Sequence, residues 1–328
     1  MSPLKVQLSR REALLGLSMA TAACVSPALA NAPLTGAVGR PQRYRGKLGS
    51  FEVSTIADGG FFRDEPHKFL AVNATQEDVS ETLAEEFYPP DFYELGFAPA
   101  IVNTGTEVVL FDAGIGAVRR PDAGKLRARL ATVDLKPEQV DVIVLTHLHI
   151  DHTGGLFEDG APAFPNARYV VSAPEFDYWT MSGEPLNSDL GVIKLSANFA
   201  RENLVGVADR MTFIKPGEDV VSGITALDVR GHTPGHLAFN IESDGERLVV
   251  AGDALIHPAL SFRRPDWQHV FDFDAEAAAK SRIELLGMLA ADRVPFTAYH
   301  MPLPSIGYVE RHDDAYRYVA AGYQLNRF

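Results

Sequence analysis

Apolar and polar positions alternate through much of the chain with the two-residue period of half-buried strands, interrupted by shorter stretches at helical spacing. The run from Phe51 alternates to Ile56 and then turns at Asp58-Gly59-Gly60. The apolar runs 98–104 and 107–111 are joined by Asn103-Thr104-Gly105, which predicts a hairpin. Thr75-Gln76-Glu77-Asp78 opens a helix by capping-box logic, and Pro89-Pro90 marks its stop. Residues 125–130 also read as helix, and Lys136-Pro137-Glu138-Gln139 introduces the apolar strand 140–145. A strand over 168–172 precedes a helix over 174–180 that carries Trp179. Residues 181–210 mix Gly183, Pro185, Asn187 and Asn198 with apolar side chains and show no clear period, so they read as an irregular insertion near the site. Strands then follow at 224–229, 237–241 and 247–251, with Asp244-Gly245 turning between the last two. Asp274 caps a helix reaching Ala290, with apolar spacing at Ile283, Leu286 and Leu289. The run 294–299 reads as the last strand, and no repeat or second-domain boundary interrupts the series.

Composition narrows the class. The chain has 328 residues, 46% of them hydrophobic, enough for one large core. Its formal net charge of −13 argues against nucleic acid or an anionic membrane surface as partner, since both call for clustered Lys and Arg.

The first thirty residues form a separate object. Lys5, Arg10 and Arg11 precede the short apolar run 13–20, and Ala28-Leu29-Ala30 closes the segment as a cleavage site does. Ser9-Arg10-Arg11-Glu12-Ala13-Leu14-Leu15 is similar to the twin-arginine export motif, which places a bacterial protein in the periplasm. The expected organisation is a signal peptide at 1–30, a linker at 31–44 and one domain at 45–328, with no stable membrane association after cleavage. Cys24, the sole cysteine, falls inside the signal. The mature chain then has no disulfide and no thiolate ligand, so any metal site is built from nitrogen and oxygen.

Candidate chemistry concentrates in Thr146-His147-Leu148-His149-Ile150-Asp151-His152-Thr153-Gly154-Gly155, directly after the strand 140–145. Imidazole nitrogen and carboxylate oxygen suit zinc, and also iron, manganese or cobalt. Three further signals end apolar strands: Gly231-His232-Thr233-Pro234-Gly235-His236, Gly252-Asp253 and His300. Strand ends are where sheets present sites. His147, His149 and His232 make one site, Asp151, His152 and His300 a second, and Asp253 bridges them.

This order, H-x-H-x-D-H, then G-H-T-P-G-H, G-D and H, resembles the metallo-β-lactamase superfamily in its dinuclear hydrolase form, over residues 45–325. The chain is most similar there to the exported methyl parathion hydrolase group and its lactonase and arylesterase relatives. That closer likeness lies in 49–53, 146–155, 164–167 with Trp179, and 304–309. The resemblance implies an αββα sandwich, two divalent cations with zinc as first choice, and supporting roles behind the ligands for Asp112 and His236. It implies a bridging hydroxide that attacks an electrophilic carbonyl or phosphorus, with Asp151 and Asp253 as the catalytic carboxylates.

Trp179, Trp267, Phe271, Phe273 and Tyr308 are expected around the metals, where they suit a small apolar or aromatic ester or lactone, with organophosphate triesters as a side activity. Ile256 and His257 complete the expected pocket. Acyl-homoserine lactonases share the ligands but carry a tyrosine where Ile256 stands. Three readings therefore compete with aryl ester or lactone hydrolysis: acyl-homoserine lactone hydrolysis, a single-iron oxidoreductase of the persulfide dioxygenase kind, and a metal-stabilised binding protein without turnover. A homodimer is left open.

Overall fold

Two seven-stranded sheets, each following chain order, face one another in the computed structural model, which describes residues 41–322. The first sheet comprises Arg43–Leu48, Phe51–Ile56, Ala100–Asn103, Val108–Phe111, Val142–Val144, Arg168–Ser172 and Met211–Ile214. It is antiparallel as far as Val108–Phe111 and parallel beyond. The second comprises Asp219–Val221, Ile224–Asp228, Leu237–Ser243, Glu246–Val250, Phe296–Thr297, Ile306–His312 and Ala315–Ala320. Its pairings are antiparallel except for the parallel one between Glu246–Val250 and Phe296–Thr297.

The strand period dictates the layering. Val109, Phe111, Val142 and Val144 meet Phe239, Ile241, Leu248 and Val250 between the sheets. The intervening Leu110, Ile143, Tyr169 and Val171 point the other way, into a core with Leu126, Leu130, Phe164, Trp179 and Ile193. Beyond the second sheet, Ala238, Val249 and Phe296 pack on Leu285, Leu286 and Leu289 of the helix Ala275–Asp292. Full burial of each large apolar side chain contributes about 1.5–3 kcal/mol. The result is the expected αββα sandwich. The parallel half of the first sheet is covered on both faces, so its strands read as continuous apolar runs.

The predicted caps form. Thr75 Oγ1 accepts from the Asp78 N–H at 3.1 Å to open the helix Gln76–Glu85, and an Asp274 carboxylate oxygen accepts from the Ala277 N–H at 3.0 Å. Three expectations need correction. Residues 181–210 are largely helical, with a regular helix at Gly191–Phe199 that continues into further helical turns. Its buried positions, Ile193, Ser196, Ala197, Ala200 and Leu204, do follow helical spacing, but three of them are small while the apolar Leu195 and Val205 are exposed. The run 294–299 supplies only Phe296–Thr297, and the hairpin Ile306–His312 with Ala315–Ala320 follows it. The first strand starts at Arg43, inside the expected linker. The expected signal peptide, with Arg10, Arg11 and Cys24, lies outside the described residues.

Candidate metal centre

Four loops leave their strands at one edge of the sandwich. The strands end at Val144, Asp228, Val250 and Thr297, and three or four residues later the chain reaches His147, His232, Asp253 and His300. Asp112, at the end of the adjacent strand, adopts a left-handed conformation with φ of 62°. That turns its carboxylate into the loop, where it accepts from the Thr146 N–H and Thr146 Oγ1, both at 2.9 Å. Its Oδ2 also lies 2.8 Å from His152 Nδ1, which fixes that ring so that Nε2 faces the cluster.

His147, His149, His232 and Asp253 form one group whose candidate ligand atoms all lie within 4.8 Å of one another, and Asp151, His152 and His300 form another. In the first, His149 Nδ1 stands 2.9 Å from His147 Nε2 and 3.1 Å from His232 Nε2. Asp253 Oδ2 is 3.8 Å from His147 Nε2 and 3.5 Å from His232 Nε2. In the second, Asp151 Oδ2 is 3.6 Å from both His152 Nε2 and His300 Nε2. Asp253 also reaches this group, with Oδ1 3.3 Å from His152 Nε2 and Oδ2 3.1 Å from His300 Nε2.

These separations match a metal site. A tetrahedron with bonds of about 2.0–2.1 Å has edges of roughly 3.3–3.4 Å, so ligand atoms sharing one cation stand near that distance. His152 Nε2 and Asp253 Oδ1, 3.3 Å apart, are buried and neither makes a well-formed hydrogen bond, an arrangement that a cation between them would complete. The donor set contains no sulfur and fits two divalent cations, zinc foremost.

A surrounding layer orients the ligands. His232 Nδ1 lies 2.9 Å from Asp272 Oδ1, and Asp272 is in turn approached by Arg282 Nη2 at 3.4 Å. His300 Nδ1 lies 2.8 Å from the Gly96 carbonyl, and the Tyr299 hydroxyl donates to the Asp151 carbonyl at 2.6 Å. His236 stands behind the ligands, its ring 4.9 Å from that of His147, and its Nε2 accepts from the Asp253 N–H at 3.2 Å. That approach requires Gly252, where φ is 53° and a Cβ would stand 2.5 Å from His236 Nε2. Asp272, Tyr299, Glu175, His269 and Arg282 all escape a reading of the sequence.

Protonation follows from these neighbours. Burial, reinforced by adjacent imidazoles, holds His147 and His149 well below the ordinary histidine value, so both are neutral ligands. Burial lowers His152 too, but the carboxylates of Asp253, Asp112 and Asp151 outweigh it and raise the ring well above that value. His300 is raised by Asp253 and Asp151 against the same burial. In the metal-free protein both rings therefore favour the protonated form more than an ordinary histidine does, and an entering cation displaces those protons. Zinc affinity is expected to fall as pH is lowered. Calorimetric zinc titrations in buffers of different ionisation enthalpy should show net proton release, and heats independent of buffer would contradict this.

The expected pocket residues divide. Trp179, Phe271 and Phe273 meet the His149 ring at centroid distances of 5.3, 6.4 and 6.2 Å. Trp179 is fully buried, so it backs the site instead of facing substrate. Ile256 and Trp267 belong to a separate cluster with Tyr93, Ala259 and Leu260. His257 Nδ1 accepts from the Ala259 and Leu260 N–H groups at 3.1 and 3.2 Å, a capping role, and its ring meets Tyr88 and Tyr93. Tyr308 packs on the core between the sheets, beside Tyr44 and Phe51. Residues 304–309 enter the second sheet, which explains why an aromatic there does not join the site.

Two sheets enclosed by helices, with nitrogen and oxygen ligands for two cations at their strand ends, define a dinuclear metalloprotein of αββα architecture. The chain belongs to the metallo-β-lactamase superfamily, whose family model matches residues 100–298. It is 27% identical over 155 residues to the N-acyl homoserine lactonase AttM of Azorhizobium caulinodans, covering 46% of this chain and 52% of that protein. The matches span between about half and two thirds of the length of such curated relatives. Among solved structures, the fold is similar to AidC, a dizinc quorum-quenching lactonase in complex with a product, with a TM-score of 0.80 at 23% identity over 85% of this chain and 97% of that one. The hydrolase AbOPH of the beta lactamase superfamily gives 0.77 at 26% identity over 87% and 99%.

Proposed function

We propose that this protein is a metal-dependent hydrolase of small esters or lactones bearing an apolar or aromatic group. The observation that carries the reading is Asp253, which stands between two complete ligand groups and approaches imidazoles of both. Two divalent cations held there would supply Lewis acidity and lower the pKa of a shared water to about 7.

The chain's own residues do the rest. Asp151 is the ligand open to solvent, with 17% side-chain exposure against at most 4% for Asp253 and the ligand histidines His147, His152, His232 and His300. Its carboxylate is therefore placed to orient an attacking water toward an entering substrate. A cleft of about 430 Å³ lies beside the first ligand group, lined by Tyr178, Leu190, Ile193, Val270, Phe271 and Phe273, with Glu184, Asn187, Ser188 and Asp272. Its apolar walls suit an aryl or acyl substituent, and the exposed Glu184 carboxylate disfavours an anionic one. The likeness to lactonases supports lactones within this class. The methyl parathion hydrolase-like grouping and organophosphate triesters as a side activity belong to the same proposal.

The test is a panel of chromogenic aryl esters, aliphatic and acyl-homoserine lactones, and organophosphate triesters, assayed with the zinc-loaded protein with and without chelator. Turnover of aryl esters or lactones that chelator abolishes is the expected result. Inertness across the panel, with oxygen consumed on a persulfide by an iron-loaded form, would overturn the proposal.

A further inference from the structure

The helix Ala173–Met181 starts with Ser172-Ala173-Pro174-Glu175, the S-x-x-E pattern of a capping box. Half of that box forms, with Ser172 Oγ accepting from the Glu175 N–H at 3.3 Å. The glutamate carboxylate goes elsewhere. Its Oε1 accepts from the Leu148 N–H at 2.9 Å and the Trp179 indole N–H at 2.7 Å, while Oε2 accepts from the Gly235 N–H at 2.8 Å. Leu148 lies between His147 and His149 on a loop of the first sheet, and Gly235 lies in the turn after His232 on a loop of the second. One carboxylate thus joins the two loops that supply the three imidazoles of the first cation site.

The junction is close. A Cβ on Gly235 would stand 2.2 Å from Ser172 Oγ and 2.4 Å from the Glu175 nitrogen, and Ser172 Oγ donates to the Gly235 carbonyl at 2.7 Å. Glu175 is completely buried, these three donors are neutral, and it makes no ion pair with Lys, Arg or His among the described residues. A buried anion without a counter-charge is costly. Burial raises the Glu175 carboxyl against the donors that favour its anion, and cations held in the adjacent site would supply the positive charge that offsets it.

We propose that Glu175 is a positioning residue for the first cation site. It sets the gap between the His147–His149 loop and the His232 loop and adds buried negative charge behind them, while the Asp151, His152 and His300 group does not depend on it. This rests on the assignment of two cation sites, but not on any particular substrate.

Glu175→Gln tests it at constant volume. The amide oxygen can keep the Leu148 and Trp179 bonds, but an amide N–H then meets the Gly235 N–H and the charge is lost. Zinc affinities of both sites, measured by competition with a chromogenic chelator, should show the first weakened about 10- to 100-fold and the second unchanged. In a Trp267→Phe background, Trp179 emission reports the first site directly, because its ring lies 5.3 Å from His149. Ser172→Ala is the control. It removes another bond at the same junction and should lower Tm while leaving both affinities within about twofold of the parent.

A Glu175→Gln protein that loses Tm but binds both zinc ions as tightly as the parent would overturn the proposal, as would equal weakening of both sites or an equal effect of Ser172→Ala. If Glu175→Gln does not fold, Glu175→Asp, one methylene short of both loops, carries the same expectation and is overturned by parental affinity at the first site. A parent chain that binds fewer than two zinc ions would refute the two-site assignment itself.

Discussion

Asp253→Ala is expected to lose metal from both sites and to reduce turnover by at least about 1,000-fold, the several kcal/mol that paired cations supply to a hydrolytic transition state. The reason is geometric. Asp253 is buried, with Oδ2 3.5 Å from His232 Nε2 in one group and 3.1 Å from His300 Nε2 in the other. Without it, two cations face each other with no shared counter-charge. His236→Ala removes a side chain that holds the Asp253 backbone and packs behind the His147 ring, and should cost about 10- to 100-fold. Metal content and kcat/KM of both variants, with circular dichroism to verify folding, check the ranking. Retention of both metals by Asp253→Ala, with a site emptied in His236→Ala, would reverse the assigned roles.

The second large effect falls on stability. Arg282 is 1% exposed within the helix Ala275–Asp292, and its guanidinium donates to the carbonyls of Ala254, Pro265 and Trp267 at 3.0, 2.8 and 2.9 Å. It also lies 3.4 Å from Asp272. Burial opposes ionisation of Asp272, yet His269, His232 and Arg282 together hold its carboxyl well below the usual carboxylate range. Arg282→Met would leave that carboxylate short of its permanent cation and three carbonyls unpaired. Breaking such a buried pair costs about 3–5 kcal/mol. Urea denaturation of the metal-free protein isolates this loss from any change in metal binding. A loss below about 1 kcal/mol would show that the network contributes little to folding.

What the sequence reveals and what it hides have distinct physical origins. His147, His149, Asp151 and His152 are legible because a strand end and the turn after it deliver several ligands within six residues. His232, Asp253 and His300 are legible because each follows an apolar strand whose period is plain. Glu175 and Arg282 are not, since a carboxylate or guanidinium on a helix is ordinarily solvated and only tertiary approach gives these two their partners. The helix Gly191–Phe199 hides because small residues occupy its buried face while Leu195 is exposed. The closing hairpin hides for a related reason, as Glu310, Arg311 and Arg317 break its alternation beside the turn at Asp313. Aromatic content misleads in the pocket: of the five aromatics expected there, Trp267 and Tyr308 serve cores, whereas Phe271, Phe273 and Trp179 reach the His149 ring.

The two-cation centre is tested most directly by anomalous diffraction from crystals of the zinc-loaded protein. The expected map has two peaks per chain about 3.5–4 Å apart, one among His147, His149 and His232, the other among Asp151, His152 and His300, with the Asp253 carboxylate between them. A single peak in one group, with the other group's side chains hydrogen-bonded among themselves, would contradict it.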